Sequence, residues 1–305
     1  MDTIEMYGFQ YLSAADKGLF ARYYGRMNDN WASSISFASM IAWNKSIKIY
    51  YRKIGEYLCC LAEDTYYGRW VLLPPLGYYE NDKLNQCIIE LQYIMEKIKK
   101  PIIFTDVSEW MLHYYMNLNS IKFKSTYDLG LSDYIYKIDD FEQALNRQNS
   151  RYDYNYFLRK NPEVVLMASE NINLYIEFLS NLWCSSHECN YCQYGCLLDS
   201  AKSIIEVLQE VGAKGIAVYV NKKIVGYTIV TKEKDQLIFH FKNYMHTYRG
   251  LSDYMHRQCY ELFGSHVKLI NYTEDINLQG LRKYKQNLAN YKLYHKYELR
   301  KEDKA

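Results

Sequence analysis

No stretch of this 305-residue chain is apolar for the roughly 20 residues that a membrane-spanning helix needs. Charge of one sign is scarce as well: the net charge is +2, too little to imply nucleic-acid binding by bulk charge. The amino terminus, Met1-Asp2-Thr3-Ile4-Glu5, is acidic and lacks the basic and apolar regions of a signal peptide. The expected location is therefore the cytoplasm, where the eight cysteines are thiols or metal ligands rather than disulfides. A complete glycine-rich phosphate loop is also missing.

What is present is a chain long enough for two domains, with 49% apolar residues to fill two cores. The 34 tyrosines imply many rings half-buried with the hydroxyl near water; codon bias accounts for them better than a tyrosine-based function. From Lys268 onward nine basic residues face five acidic ones, a bias that suits either a phosphate-bearing ligand or a solvated face.

Periodicity predicts helices over Ser13–Arg26 and Ser36–Trp43, with Ser13 and Asp16 spaced as a capping box. Strands follow at Ile47–Tyr51, Tyr57–Leu61 and Trp70–Leu73, then an amphipathic helix over Asp82–Lys99 ended by Pro101. A short strand at Ile102–Phe104, a helix at Ser108–Met116 and an extended segment from Ile121 to Tyr136 complete the first half. The second half repeats this order. Helices fall at Asn173–Trp183 and Leu197–Val211, and a hairpin turns at Asn221-Lys222-Lys223. A strand at Leu237, a helix at Leu251, a strand at Val267, a helix at Leu281 and a last strand over Tyr291–Leu299 follow.

The repeated order implies an α/β (α+β) chain of two tandem domains, residues 1–140 and 141–305, each a mixed, mostly antiparallel sheet flanked by helices. The order resembles that of Gcn5-related N-acetyltransferases (GNAT), whose fourth and fifth strands splay apart to admit an acyl-carrying ligand. Particular residues carry a narrower likeness: Asp16-Lys17, Ser36-Phe37, Trp43, Pro75-Leu76-Gly77, Asp133-Tyr134-Ile135-Tyr136, His240-Phe241-Lys242, Gly250, Asn271, Asp275 and Gly280-Leu281-Arg282-Lys283-Tyr284-Lys285. With these the chain resembles the bacterial phosphatidylglycerol lysyltransferase C-terminal domain family over nearly its whole length. It departs from that pattern at Thr273 (usually Glu), at Asn277 (usually Gly), at Asn287-Leu288-Ala289-Asn290, and at Gln148–Asp153, where a basic helix start keeps one Arg.

The resemblance implies an acyl- or aminoacyl-transferase. Its donor is acyl-CoA or aminoacyl-tRNA, and its acceptor is an amine or hydroxyl on a small molecule, lipid headgroup or peptide. The donor is expected in the second domain and the acceptor in the cleft between domains, with direct attack by a positioned amine.

Candidate catalytic residues are His240, Lys242, Asn271 and Asp275. Two apart on a strand, His240 and Lys242 are expected on one side, as base and as oxyanion or phosphate partner. Asn271 is expected to face the splay. Arg249, Gly250 and Leu251 begin a helix whose N-terminus suits a pyrophosphate. The corresponding first-half turn, Leu73-Pro74-Pro75-Leu76-Gly77, lacks proline N–H groups, so its domain is expected to be the poorer donor site. Arg282 and Lys285 are candidates for a carboxylate or phosphate, and an Asp275–Arg282 ion pair ordering the loop is the plainer alternative. Cys184, Cys189, Cys192 and Cys196, with His187 among them, have the ligand types for zinc; Cys189, Cys192 and Cys196 also fit one helix face, where thiols serve as small apolar residues, and that is the plainer expectation. A non-catalytic binding or regulatory protein that keeps the fold is the competing expectation, favoured by the departures.

Overall fold

The structure, a computed structural model, describes residues 4–64, 68–184 and 196–302. In chain order its elements are β1 (Gln10–Tyr11), α1 (Lys17–Tyr24), α2 (Phe37–Trp43), β2 (Ile47–Ile54), β3 (Tyr57–Asp64), β4 (Arg69–Leu72), α3 (Asn81–Lys97), β5 (Ile103–Ser108), α4 (Glu109–Met116) and β6 (Phe123–Tyr127). They continue with β7 (Asp133–Lys137), α5 (Ile138–Leu145), α6 (Gln148–Leu158), β8 (Glu163–Leu166), α7 (Ile172–Leu179), α8 (Leu197–Glu206), β9 (Lys214–Val220) and β10 (Lys223–Glu233). The last are β11 (Gln236–Tyr244), α9 (Leu251–Phe263), β12 (Leu269–Asn271), α10 (Gln279–Leu288), β13 (Tyr291–Tyr294) and β14 (Lys296–Lys301).

Two units emerge, Met1–Ser132 with Tyr294–Ala305, and Asp133–Leu293. In the first, the strand order is β1-β2-β3-β4-β5-β14-β6; β2, β3 and β4 run antiparallel, and β4 meets β5 in parallel at Leu72 and Phe104. Local chemistry sets its helices. Ser13 N–H and Oγ–H donate to Asp16 Oδ2 at 2.8 and 3.0 Å just before α1. In α3, Leu84, Cys87, Ile88, Leu91, Ile94 and Met95 form one buried stripe.

In the second unit the order is β13-β7-β12-β11-β10-β9-β8. β9 and β10 join through Asn221 and Lys222, whose φ values of 50° and 63° make the two-residue turn whose twist matches a hairpin. α9 and α7 cover opposite faces of this sheet. Val230 clusters with Cys259 of α9, whereas Tyr227, three residues earlier, packs on Tyr175 and Phe178 of α7.

The boundary falls at Ser132/Asp133 rather than at residue 140, and the segments expected to be single strands are two each. β6 lies in the first sheet and β7 in the second; β13 lies in the second and β14 in the first. Hydrogen-bond partners far along the chain decide this: β7 pairs with β12, and β14 with both β5 and β6. Strand pattern encodes which face is buried, not which strand lies alongside.

Candidate functional site

β11 and β12 pair in parallel over only three positions, Gln236 with Leu269, Leu237 with Ile270 and Ile238 with Asn271. Beyond them the strands take different partners. β11 continues to Tyr244 along β10. The chain after Asn271 stays with β7, where Tyr272 N–H donates to Tyr134 O and Tyr134 N–H to Thr273 O. Phe239 to Tyr244 thus lie on a strand that β12 no longer accompanies.

His240 and Lys242 do not share a side, contrary to their spacing. Phe241 is paired with Ile229 and Phe239 with Val230, which leaves His240 as an extra, unpaired residue. Such a bulge shifts the alternation by one. Its imidazole Nε2 lies 2.8 Å from Thr231 Oγ1, on the α7 face. Burial lowers its pKa to about 4, against the opposing charge of Asp133, so His240 is neutral at physiological pH.

Lys242 points to the α9 face, into a polar cluster. Its Nζ donates to Ser252 Oγ at 2.6 Å and to Tyr284 OH at 2.7 Å, and lies 2.9 Å from His256 Nε2. Tyr284 OH is 3.1 Å from both Ser252 Oγ and His256 Nε2, and Tyr272 OH is 2.5 Å from the same nitrogen. The rings of Tyr244 and Tyr284 stand 5.0 and 5.2 Å from Nζ. Burial brings the Lys242 pKa down to about 7, with Asp253 and Cys259 opposing. His256 is held well below its usual range by burial and by the Lys242 charge. It is therefore the neutral imidazole, with Nε2 accepting and the proton on Nδ1. Lys242, Ser252, Tyr244 and Tyr284 are half-buried and form the rim, while His256 and Tyr272 are buried beneath. The sequence reading singled out Lys242 but missed Ser252, His256 and Tyr272. The signal was the pair Ser252 and His256, four apart on one helix and so on one face.

Asn271 does not face the splay, whereas Asp275 forms the loop-ordering pair with Arg282 that was the plainer expectation. Asn271 is fully buried; its amide donates to Asp133 Oδ2 at 3.1 Å and to Gln236 Oε1 at 3.4 Å, and its oxygen accepts from Thr273 N–H at 2.9 Å. Asp275 is also fully buried. It accepts from Tyr134 OH at 2.7 Å, from Asn277 N–H at 2.9 Å, and from Arg282 Nε and Nη2 at 2.8 and 3.0 Å. The Gly-Leu-Arg motif is thus a fastening, because α10 returns Arg282 to the loop that precedes it. Lys285, likewise buried, donates to the carbonyls of Tyr272 and Glu274 at 2.5 and 2.6 Å. These bonds hold Tyr272 and Tyr284 against His256.

Arg249, Gly250 and Leu251 begin α9 beneath α6. Arg249 Nε donates to Asp153 Oδ1 at 2.8 Å, and Ser150 donates to the Asp253 carboxylate. Gly250, at φ 80°, lies so close to the Asp153 carbonyl that a Cβ would stand 1.9 Å from its oxygen. Leu251 is buried against Phe157 and Met255. A carboxylate from each helix therefore stands at the helix start where an anion was expected.

Of the candidate zinc ligands, Cys184 is exposed and Cys196 partly buried, while Cys189, Cys192 and His187 lie outside the described residues. Among the described residues no three metal-ligating side chains converge, and no helix is long and apolar enough to cross a membrane.

Residues 27–298 match the family described as phosphatidylglycerol lysyltransferase, C-terminal. The chain belongs to this family. No curated protein matches it. Among solved structures, a conserved protein of unknown function from Bacteroides thetaiotaomicron shares 18% identity with a TM-score of 0.86, over 96% of this chain and 99% of that one. L-PGS from Bacillus licheniformis shares 14% with a TM-score of 0.69, over 97% and 94%. A tandem GNAT protein from the clavulanic acid biosynthesis pathway shares 10% with a TM-score of 0.53, over 97% and 99%. At these identities the likeness shows the family's mixed α/β fold of two helix-flanked sheets, with GNAT-like neighbours.

Proposed function

We propose that the chain is a tandem GNAT-like acyltransferase that moves an aminoacyl or acyl group to an amine or hydroxyl acceptor. The observation that carries the reading is the separation of β11 from β12, with Lys242 held beside the separated stretch by Ser252, His256 and Tyr284. An acyl carbonyl seated there meets an amine that is about half unprotonated at neutral pH. The attacking group's proton passes to Lys242 as the new bond to the acyl carbon forms. The bond to the leaving oxygen or sulfur breaks, and that atom takes a proton from Tyr284, which Lys242 resupplies across 2.7 Å. Of the family's Asn and Asp, neither is free for this chemistry, and His240 lies across the sheet from it.

Two features favour particular assignments. The Asp153–Arg249 ion pair and the Asp253 carboxylate occupy the start of α9, which counts against a CoA diphosphate seated at that helix end. In the first unit, the N–H groups of Leu73 and Leu76 already bond to Cys60 O and Leu58 O, which supports placing the donor in the second.

The competing reading, a binding protein that has kept the fold without the chemistry, draws on the burial of Asn271, Asp275 and Lys285 in internal bonds. Incubation with labelled lysyl-tRNA and, separately, acetyl-CoA decides between them. Saturable binding with transfer of label to a lipid, amine or peptide acceptor that depends on Lys242 supports transfer. Saturable binding of neither donor removes the transferase reading.

A further inference from the structure

From the arrangement around Lys242, and resting on the acyl-transfer reading, we infer that Ser252 is itself the nucleophile and carries the acyl group as an ester between donor and acceptor. Its Oγ lies 2.6 Å from Lys242 Nζ and 3.1 Å from Tyr284 OH, while Tyr284 OH and Nζ are 2.7 Å apart. A hydroxyl with an amine and a phenol both within hydrogen-bond reach has the parts of an activated nucleophile: a base to take the proton and a second donor for the leaving group. His256 completes the arrangement from below: its Nε2, with one lone pair to share, lies 2.9 Å from the amine, 2.5 Å from Tyr272 OH and 3.1 Å from Tyr284 OH. Ser252 is the second residue of the thirteen-residue α9. Ser252 is half-buried at the rim.

The two steps balance. In the first, Oγ–H gives its proton to the Lys242 amine, the Oγ–acyl bond forms, and the bond to the donor's ribose oxygen breaks; that oxygen is protonated through Tyr284 by the Lys242 ammonium. In the second, the acceptor's amine or hydroxyl loses its proton to Lys242, bonds to the acyl carbon and displaces Oγ, which recovers a proton from Lys242. No oxidant or metal enters, and the enzyme ends as it began.

The groups facing Lys242 are Ser252, Asp253, His256 and Cys259 from α9, Tyr244 from β11, Tyr272 from the segment after β12 and Tyr284 from α10. Of these only Asp253 is an anion at neutral pH, and its charge opposes the loss of the lysine proton. Reactivity of Ser252 should therefore rise as pH rises through about 7 and then level.

The test is labelling of the full chain with an alkyl fluorophosphonate, a serine-directed probe, followed by peptide mapping. The expected result is an adduct at Ser252, formed with loss of fluoride and slowed about 100-fold in Lys242→Met. Ser252→Cys should in turn trap the acyl group as a thioester from lysyl-tRNA alone. Absence of an adduct at Ser252, with full transfer retained by Ser252→Ala, means direct attack and overturns this inference while leaving the acyltransferase reading intact. An adduct at Ser252 in a protein that transfers from neither donor shows an activated serine but overturns the acyltransferase reading, and the acyl-carrier role with it.

Discussion

Replacing Gly250 by alanine isolates the contact that ties α6 to the start of α9. The new Cβ would stand 1.9 Å from Asp153 O, 2.6 Å from Asp153 C and 3.3 Å from Asp153 Cα. All three are backbone atoms, so no side chain can rotate out of the way. To reach even the 3.0 Å floor of real Cβ contacts, α6 has to retreat by about 1.1 Å. That movement strains the Ser150–Asp253 hydrogen bond and the stacking of Tyr154 on Tyr254, whose ring centroids are 5.5 Å apart. The residue is also at φ 80°, where an L side chain costs about 1–2 kcal/mol. Overpacking adds about 1–3 kcal/mol, for a total of about 3 kcal/mol. In a unit of this size that lowers Tm by about 6–12 °C. The same substitution at Gly280, where nothing lies within 4 Å, should instead gain about 0.5–1 kcal/mol through helix propensity. Thermal unfolding followed by circular dichroism compares the two. If Gly250→Ala melts with the parent, α6 does not lie on α9, and the argument that this helix start is closed to a diphosphate fails with it.

Other outcomes follow from the same contacts. Asp275→Asn should cost about 2–3 kcal/mol at neutral pH by weakening bonds to a buried carboxylate. Burial pushes the Asp275 pKa up, but Arg282, Tyr134 and the Asn277 N–H outweigh it and hold it below its ordinary value. The charged form's contribution is thus present above the unfolded carboxylate's pKa of about 3.9 and is lost as pH falls through the folded one. Denaturant midpoints of parent and variant should converge in acid; a constant gap contradicts the pair's ionic character. Lys242 gives a slope of the same sign in a higher window, here because burial penalises its charged form: its pKa is about 7 in the fold and about 10.4 unfolded, so the unfolded chain binds more protons between them. Stability of the parent should climb over that window relative to Lys242→Met, and parallel curves would show that Lys242 is not desolvated. His240→Ala should leave the pH profile of acyl transfer unchanged, since that imidazole is neutral above about pH 4 and faces α7. A shift of the profile's midpoint would return His240 to the site.

Local pattern was enough for the repeated element order, because apolar stripes such as Leu84 to Met95 and turn residues such as Asn221 and Lys222 act within a few positions. Sheet membership of β7 and β14 was not legible. Asp133–Lys137 and Lys296–Lys301 carry ordinary strand pattern, and nothing in it says that their partners lie more than a hundred residues away. The site was half legible for a similar reason. Strand alternation put His240 and Lys242 together, and one unpaired residue opposite Ile229 and Val230 separates them. Asn271, Asp275, Arg282 and Lys285 stood out as polar residues in an apolar setting, but the same appearance belongs to groups satisfied by internal partners, as these are. Ser252 and His256 are hidden among the polar positions of an amphipathic helix, and only packing of Tyr272 and Tyr284 over them makes a cluster.

The central claim is that acyl transfer occurs at Lys242, where β11 parts from β12. Its most direct measurement is the rate of label transfer from lysyl-tRNA across pH 5–9 in the parent and in Lys242→Met. The account predicts a rate that rises to a plateau with a midpoint at about 7 in the parent and a loss of about 100-fold or more, without that midpoint, in the variant. Equal rates and the same profile in both proteins would contradict it.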